Sequence, residues 1–251
     1  MDKIVAAFTD TYDRKARLMP AVLALVPGLL LVAFYTDWTN LDWEAALPSF
    51  VAIATLIWLT SYVRELGKRK EASLLRKWEA FPSVTRLRHR DGALDRHTKE
   101  RYHRAAELVV PDLRMPDRES EVRDPGDADD RYRAVTSALL PMTRDKQRFP
   151  LLFKELTNYG FSRNMLGVKP LALLLVLSSI AFCVWQDWSL MSAEQLPDGK
   201  ELTVMGLCLV IGAFWLLSVN EQAVRRVSEA YAKQLHEALD DLGREAQASV
   251  A

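Results

Sequence analysis

The sequence predicts an all-α integral membrane protein. It would have four transmembrane helices, a helical cytosolic domain inserted between the second and third, and a long C-terminal cytosolic helix. Three observations predict this. Residues 18–35, 45–63, 170–185 and 202–220 are apolar runs without a single charge. Outside them the chain is charge-rich, so 33 Lys and Arg balance 33 Asp and Glu and mean hydropathy sits near zero. The long stretch between the second and third runs shows helix caps and prolines but no alternating strand pattern.

Residues 1–17 place Met1, Ile4, Val5, Phe8 and Tyr12 on one helical stripe, away from most of the charges, which reads as an interfacial amphipathic helix. A lead-in helix packed on the cytosolic domain fits the same stripe. Residues 18–63 hold the first two spans. A helix rising about 1.5 Å per residue needs roughly 20 residues to cross a hydrocarbon core about 30 Å thick, and the runs are close to that length. Pro27-Gly28 is the expected kink of the first span. Residues 64–169 form the basic domain, with 24 Lys and Arg against 17 Asp and Glu. Within it, 64–78 continues the second span's helix, and Phe81-Pro82 breaks it. Asp95 caps a helix to Val110, residues 111–130 form a proline-rich acidic loop, Asp127 caps a helix over 130–140, and Pro150 opens one toward Gly160. Residues 170–220 hold the third and fourth spans, with Pro170 opening the third. In the tail, residues 221–251, the seam Val224, Val227, Tyr231, Leu235, Ala238 and Leu242 suits packing against another helix, in another subunit or in the chain's own domain.

Loop charges orient the spans. Residues 1–17 carry Lys3, Arg14, Lys15 and Arg17, the middle domain is basic, and the tail opens on Arg225-Arg226. The loop at 36–44 has no Lys or Arg, and that at 186–201 has one, Lys200. Positive-inside counting puts both termini and the middle domain on the cytoplasmic side. Tyr35, Trp38, Trp43, Trp185 and Trp188 then form an outer aromatic belt.

Catalytic chemistry finds no foothold. His89-Arg90-Asp91 lacks every other part of a kinase site, and no Walker loop, GxSxG or HExxH occurs. Cys183 and Cys208 lie in apolar runs and form no ligand set, so neither a cofactor nor a metal is expected. The chemistry-bearing feature is a basic cluster: Arg86, Arg88, His89, Arg90, Arg96, His97, Lys99, Arg101, His103 and Arg104. Arg presents a planar fork of donors that matches phosphate, and the alternation of 86, 88 and 90 would aim three forks together on an extended segment. Arg148, Tyr159, Arg163 and Asn164 add aromatic and amide groups that suit a nucleotide base. Anionic lipid headgroups are the competing partner, since any cytosolic loop beside a membrane tends to be basic.

Two stretches carry a resemblance: PSVTRLRHRDGALDRHTKERYHRAAELVVPDLRMP at 82–116 and RDKQRFPLLFKELTNYGFSRNMLGVKP at 144–170. They resemble the four-span membrane effectors of bacterial nucleotide-signalling antiphage defence, those of Hailong systems in particular. The resemblance implies an oligomeric membrane channel controlled by a nucleotide or short oligonucleotide, the product of a partner nucleotidyltransferase. It also implies phosphate contacts by arginines within 86–104 and 144–163. The competing reading of the residues is a non-catalytic membrane scaffold with a helical docking domain.

Overall fold

The computed structural model describes residues 11–36, 46–191 and 199–250, the side chains of 46–53, 187–191 and 250 excepted. All regular structure among them is helical. The helices are α1 (Thr11–Tyr35), α2 (Ala46–Trp78), α3 (Pro82–Thr85), α4 (Arg96–Val109), α5 (Arg118–Arg123), α6 (Pro125–Met142), α7 (Pro150–Met191), α8 (Gly199–Leu217) and α9 (Glu221–Val250). The chain divides into two compact units. One is Met1–Ala72 with Gly160–Val224; the other is Ser73–Tyr159 with Arg225–Ala251.

Among the described residues three helices are long and apolar enough to cross a membrane: Thr11–Tyr35, Gly199–Leu217 and Pro150–Gln186, the last entering the first unit at Gly160. Their outward faces are aliphatic, with Leu29, Val32, Leu174, Leu177, Leu209 and Leu217 all exposed. A soluble monomer rarely shows so much contiguous apolar surface, whereas lipid accepts it. Inside, Val176, Cys183, Val204 and Cys208 make a small core with Leu30, Leu31 and Phe34 of α1.

A close helix crossing organises this unit. Pro20 has no N–H to offer the Ala16 carbonyl one turn back. The chain answers with a π-helical turn over Arg14–Leu18, a wider turn that relieves the proline ring. The Asn164 amide of α7, 1 % exposed, donates to the Ala16 carbonyl at 2.7 Å. Gly67 of α2 passes directly over Asn164: a Cβ there would lie 2.0 Å from Asn164 Oδ1. A Cβ on Gly167 would meet the Gly67 nitrogen at 2.6 Å. Small residues thus bring three backbones together, and the Arg163–Glu71 ion pair flanks them.

Several expected boundaries move. Residues 11–17 are not a separate interfacial helix but the first turns of α1. Residues 1–10, which carry the rest of that stripe, lie outside the described residues, as do Trp38 and Trp43 and the side chain of Trp188. Gly160 and Pro170 neither end nor begin a helix, since α7 runs through both. Burial of Asn164, Met165, Leu166 and Val168 on one side of Pro170, and of Ala172 and Val176 on the other, carries the helix across the missing hydrogen bond. The expected break after α2 is present, with Glu79 in the left-handed region at φ 66°.

The second unit has its own core. Val84, Leu87, Tyr102, Ala106, Tyr132, Val135 and Leu139 meet Leu235, Ala238 and Leu239 of α9, with Tyr231 and Leu242 packed alongside. Most of the C-terminal seam is therefore spent within the chain, not left for another subunit. The helix α4 begins as expected, with the Asp95 carboxylate accepting the Thr98 N–H at 2.9 Å. The segment 111–130 is not all loop. Asp117 caps α5 through the Ser120 N–H, and Asp124, rather than Asp127, caps α6. Pro125, which reads as a breaker, occupies the first turn of α6, where proline favours a helix.

Candidate functional site

The second unit holds a cleft of about 910 Å³. It lies between one face of α4, the turn after α3 and the segment leading into α5. Its lining includes His89, Lys99, His103, Arg104, Glu107 and Arg118. The turn from 88 to 91 has no regular structure, so its backbone groups need partners. Two buried charges supply them. Lys99, 5 % exposed, donates to the carbonyls of Arg88 and Asp91, each at 2.6 Å, and more distantly to that of His89. Glu121, 3 % exposed, accepts the N–H of His89 at 2.6 Å, the N–H of Arg90 at 3.2 Å and the Tyr132 hydroxyl at 2.6 Å. One cation holds the carbonyls of the turn and one anion holds its amides.

Burial lowers the Lys99 ammonium's proton affinity. Burial pushes the Glu121 carboxyl up, but the hydrogen bonds from Tyr132, His89 and Arg90 outweigh it and hold it below the usual range. The frame of the turn uses the Lys99 ammonium as its donor and the Glu121 carboxylate as its acceptor.

The two histidines have fixed roles. His89 Nε2 lies 2.9 Å from the Pro116 carbonyl, and His103 Nε2 lies 2.8 Å from the Leu87 carbonyl. A carbonyl only accepts, so Nε2 is the donating nitrogen of each ring. The rings meet edge to face, centroids 4.8 Å apart. Burial lowers the His103 pKa, so that ring resists becoming a cation. Each histidine thus spends one ring nitrogen on the backbone at the cleft wall.

The basic side chains part company. Arg88 does not reach the cleft: it is 6 % exposed, and its fork closes on Asp129 at 2.8 and 2.6 Å, with Glu79 at 3.0 Å. Arg86 turns to the Glu229 carbonyl at 3.1 Å, and Arg90 is exposed. The alternation fails because 82–85 is a helical turn followed by further turns, not an extended strand. Arg96 lines the cleft but is bonded to Glu100 at 2.7 Å, and His97 is exposed 4.0 Å from the same carboxylate. Arg101 pairs with Asp240 at 3.2 Å beside a smaller groove. The later set stands elsewhere. Arg148 pairs with Glu245, Tyr159 is buried against Phe81 and Tyr231, Arg163 pairs with Glu71, and Asn164 holds the helix crossing.

The structure therefore brings His89, Arg96 and Arg104 of the expected set to one cleft, with Lys99 and His103 beside them. It adds Arg118 and Asp117, which the reading of 111–130 as loop passed over, and Glu107 of α4. The caps Asp117-Arg-Glu-Ser120 and Asp124-Pro125 were the available signal. Asp117 is bonded to Ser120 and Glu107 to the Met115 N–H. Arg104 and Arg118 make no hydrogen bond or ion pair among the described residues, so their forks face solvent at the cleft uncommitted. Two guanidiniums without a hydrogen bond, Arg104 within electrostatic reach of Glu100, stand beside the carboxylates of Glu107 and Asp117 and suit a ligand with an anionic group and hydrogen-bond donors. No three metal-ligating side chains converge among the described residues. No protein-family model matches the chain, and no characterised protein or solved structure is significantly similar to it.

Proposed function

We propose that this chain is a membrane effector of bacterial nucleotide-signalling antiphage defence. Copies of it form an ion-conducting pore in the inner membrane, and a nucleotide or short oligonucleotide bound outside the membrane sets its open fraction. In this reading residues 45–63 make a fourth span beside the three apolar helices, and both termini face the cytoplasm. The chain performs no catalysis. A partner nucleotidyltransferase acts on it through its product, and membrane lipids surround the spans. The observation that carries the reading is the cleft, with the Arg104 and Arg118 forks uncommitted in a unit outside the apolar helices. The resemblance of 82–116 and 144–170 and the charge asymmetry of the loops support it.

A ligand shifts such an equilibrium only by binding one state better. Moving it from 1:99 to 99:1 takes about 5.5 kcal/mol of differential affinity. That is within reach of a few charge-assisted hydrogen bonds made in one state alone. The test is ion flux from vesicles carrying the purified chain, with and without a panel of short oligonucleotides and cyclic dinucleotides. A flux that any of them raises or suppresses is expected. No flux under all conditions refutes the reading. A scaffold is the second reading, favoured by the exposed apolar side chains Leu140, Met142 and Leu151. Wild-type flux unaltered by every nucleotide, with a captured protein released by Leu140→Asp or Leu151→Asp, would support it.

A further inference from the structure

Three of the helices discussed above turn aliphatic side chains outward, but α2 does not. Its inner side is ordinary: Leu59 is 2 % exposed, Val63 is fully buried, and Gly67 sits against Asn164. Its outer side, at steps of three and four, carries Thr55, Trp58, Ser61, Tyr62, Glu65 and Arg69, all exposed. Trp58 is 61 % exposed, and its ring lies flat on that of Tyr62, centroids 5.0 Å apart. Glu65 and Arg69 are 3.6 Å apart and mostly exposed.

This face is wrong for lipid. From Thr55 to Tyr62, within the run 45–63, it covers about 10 Å along the helix, a third of a hydrocarbon core about 30 Å thick. A hydroxyl in hydrocarbon turns back onto a carbonyl of its own helix, as the inward Thr60 does at 2.7 Å. Thr55 and Ser61 make no hydrogen bond among the described residues. Two hydroxyls, a phenol and an indole N–H without partners would each lose solvation in lipid. Leu174, Leu177, Leu209 and Val210 on the other helices carry no such burden.

We infer that this face of α2 lines the pore, so that Thr55, Ser61 and Glu65 from several copies of the chain surround one water-filled path. The inference rests on the pore reading and names the helix that does the work. The occupant of the face is a second copy of this chain, with water between. Closed rotational symmetry repeats the same hydroxyls and the same Glu65–Arg69 pair around the axis. The stacked Trp58–Tyr62 pair sets the width of the path, and Glu65 sets a cation preference at its end.

Cysteine substitution in the full-length chain tests this. Cys183 and Cys208 are fully buried and serve as the unreactive background. Thr55→Cys and Ser61→Cys should react with a charged, membrane-impermeant methanethiosulfonate reagent and lose about tenfold or more of their ion flux. Leu177→Cys and Val210→Cys should not react. Glu65→Lys should move the reversal potential in a salt gradient toward anions. Flux that persists while Thr55→Cys and Ser61→Cys stay unmodified overturns the assignment of α2 but leaves the pore. Modification without loss of flux overturns it too. A chain that conducts under none of the conditions above overturns both.

Discussion

Arg88 is the position where sequence and structure predict opposite experiments. As a phosphate ligand it would be dispensable for folding, and Arg88→Ala would silence only the response to signal. Its geometry says otherwise. The guanidinium is 6 % exposed, with two bonds to Asp129 and one to Glu79. The burial that would lower its proton affinity is outweighed by those carboxylates, which hold it charged. Glu79, 72 % exposed, contributes little. Asp129, with 15 % of its side chain exposed, is the group that suffers when the arginine goes. Removing one partner of a buried pair costs roughly 3–5 kcal/mol, because the other charge remains in a poor solvent. At about 2–4 °C per kcal/mol for a chain of this size, Arg88→Ala should lower Tm by roughly 6–20 °C. Differential scanning fluorimetry of the detergent-purified chain reads this, with Arg118→Ala as the comparison, expected within about 0.5 kcal/mol of wild type. Arg88→Met combined with Asp129→Leu should recover most of the loss, since a buried pair is often replaceable by apolar side chains. An Arg88→Ala chain as stable as wild type but blind to ligand would refute the reasoning.

Three further outcomes follow from the packing and the titrations. Gly67→Ala should destabilise the first unit by about 1–3 kcal/mol, seen as a lower melting temperature in detergent, because its methyl meets Asn164 and the backbone of Gly167. Leu235→Ala should cost about 2–5 kcal/mol and weaken the near-ultraviolet circular dichroism of the second unit's aromatic core, since Leu235 is fully buried there; unchanged stability with smaller oligomers would return that seam to a subunit contact. His236, buried with Nε2 on the Ser83 carbonyl, has its pKa pushed by burial from 6.5 down to about 4. Its neutral ring is at no disadvantage above pH 6.5. As pH falls from 6.5 toward 4 the unfolded chain takes up a proton that the folded chain refuses, and up to roughly 3 kcal/mol is lost. His236→Gln should flatten the stability profile across that window, which denaturation at several pH values will show; an unaltered slope would contradict it.

Three of the four apolar runs were legible as long apolar helices because a helix that crosses lipid must be apolar along its length, and Asp95 was legible because a cap acts on the next three residues. Gly160 and Pro170 misled because both normally punctuate helices, and only neighbours far along the chain, Tyr12 and Ala16 for one, reveal why α7 continues. The seam in α9 was legible as apolar periodicity, but periodicity does not name the partner. The cleft was half legible. Positive charge marked Arg96 and Arg104, but nothing local separates an arginine with a free fork from one such as Arg88, whose carboxylate partner lies 41 residues on. Lys99 and Glu121 stand on different helices and meet only at the turn they brace, so their joint role required the fold.

The central claim is that the cleft binds a phosphate-bearing ligand through Arg104 and Arg118, and calorimetric titration tests it directly. The wild-type chain and the Arg104→Ala, Arg118→Ala double variant would each be titrated with short oligonucleotides and cyclic dinucleotides at about 50 and 200 mM salt. Wild type should bind at least one of them, more weakly at the higher salt. The double variant should bind that ligand about tenfold or more weakly with its melting temperature unchanged. Equal binding by the two chains, or no binding by wild type even at the lower salt, would contradict the account.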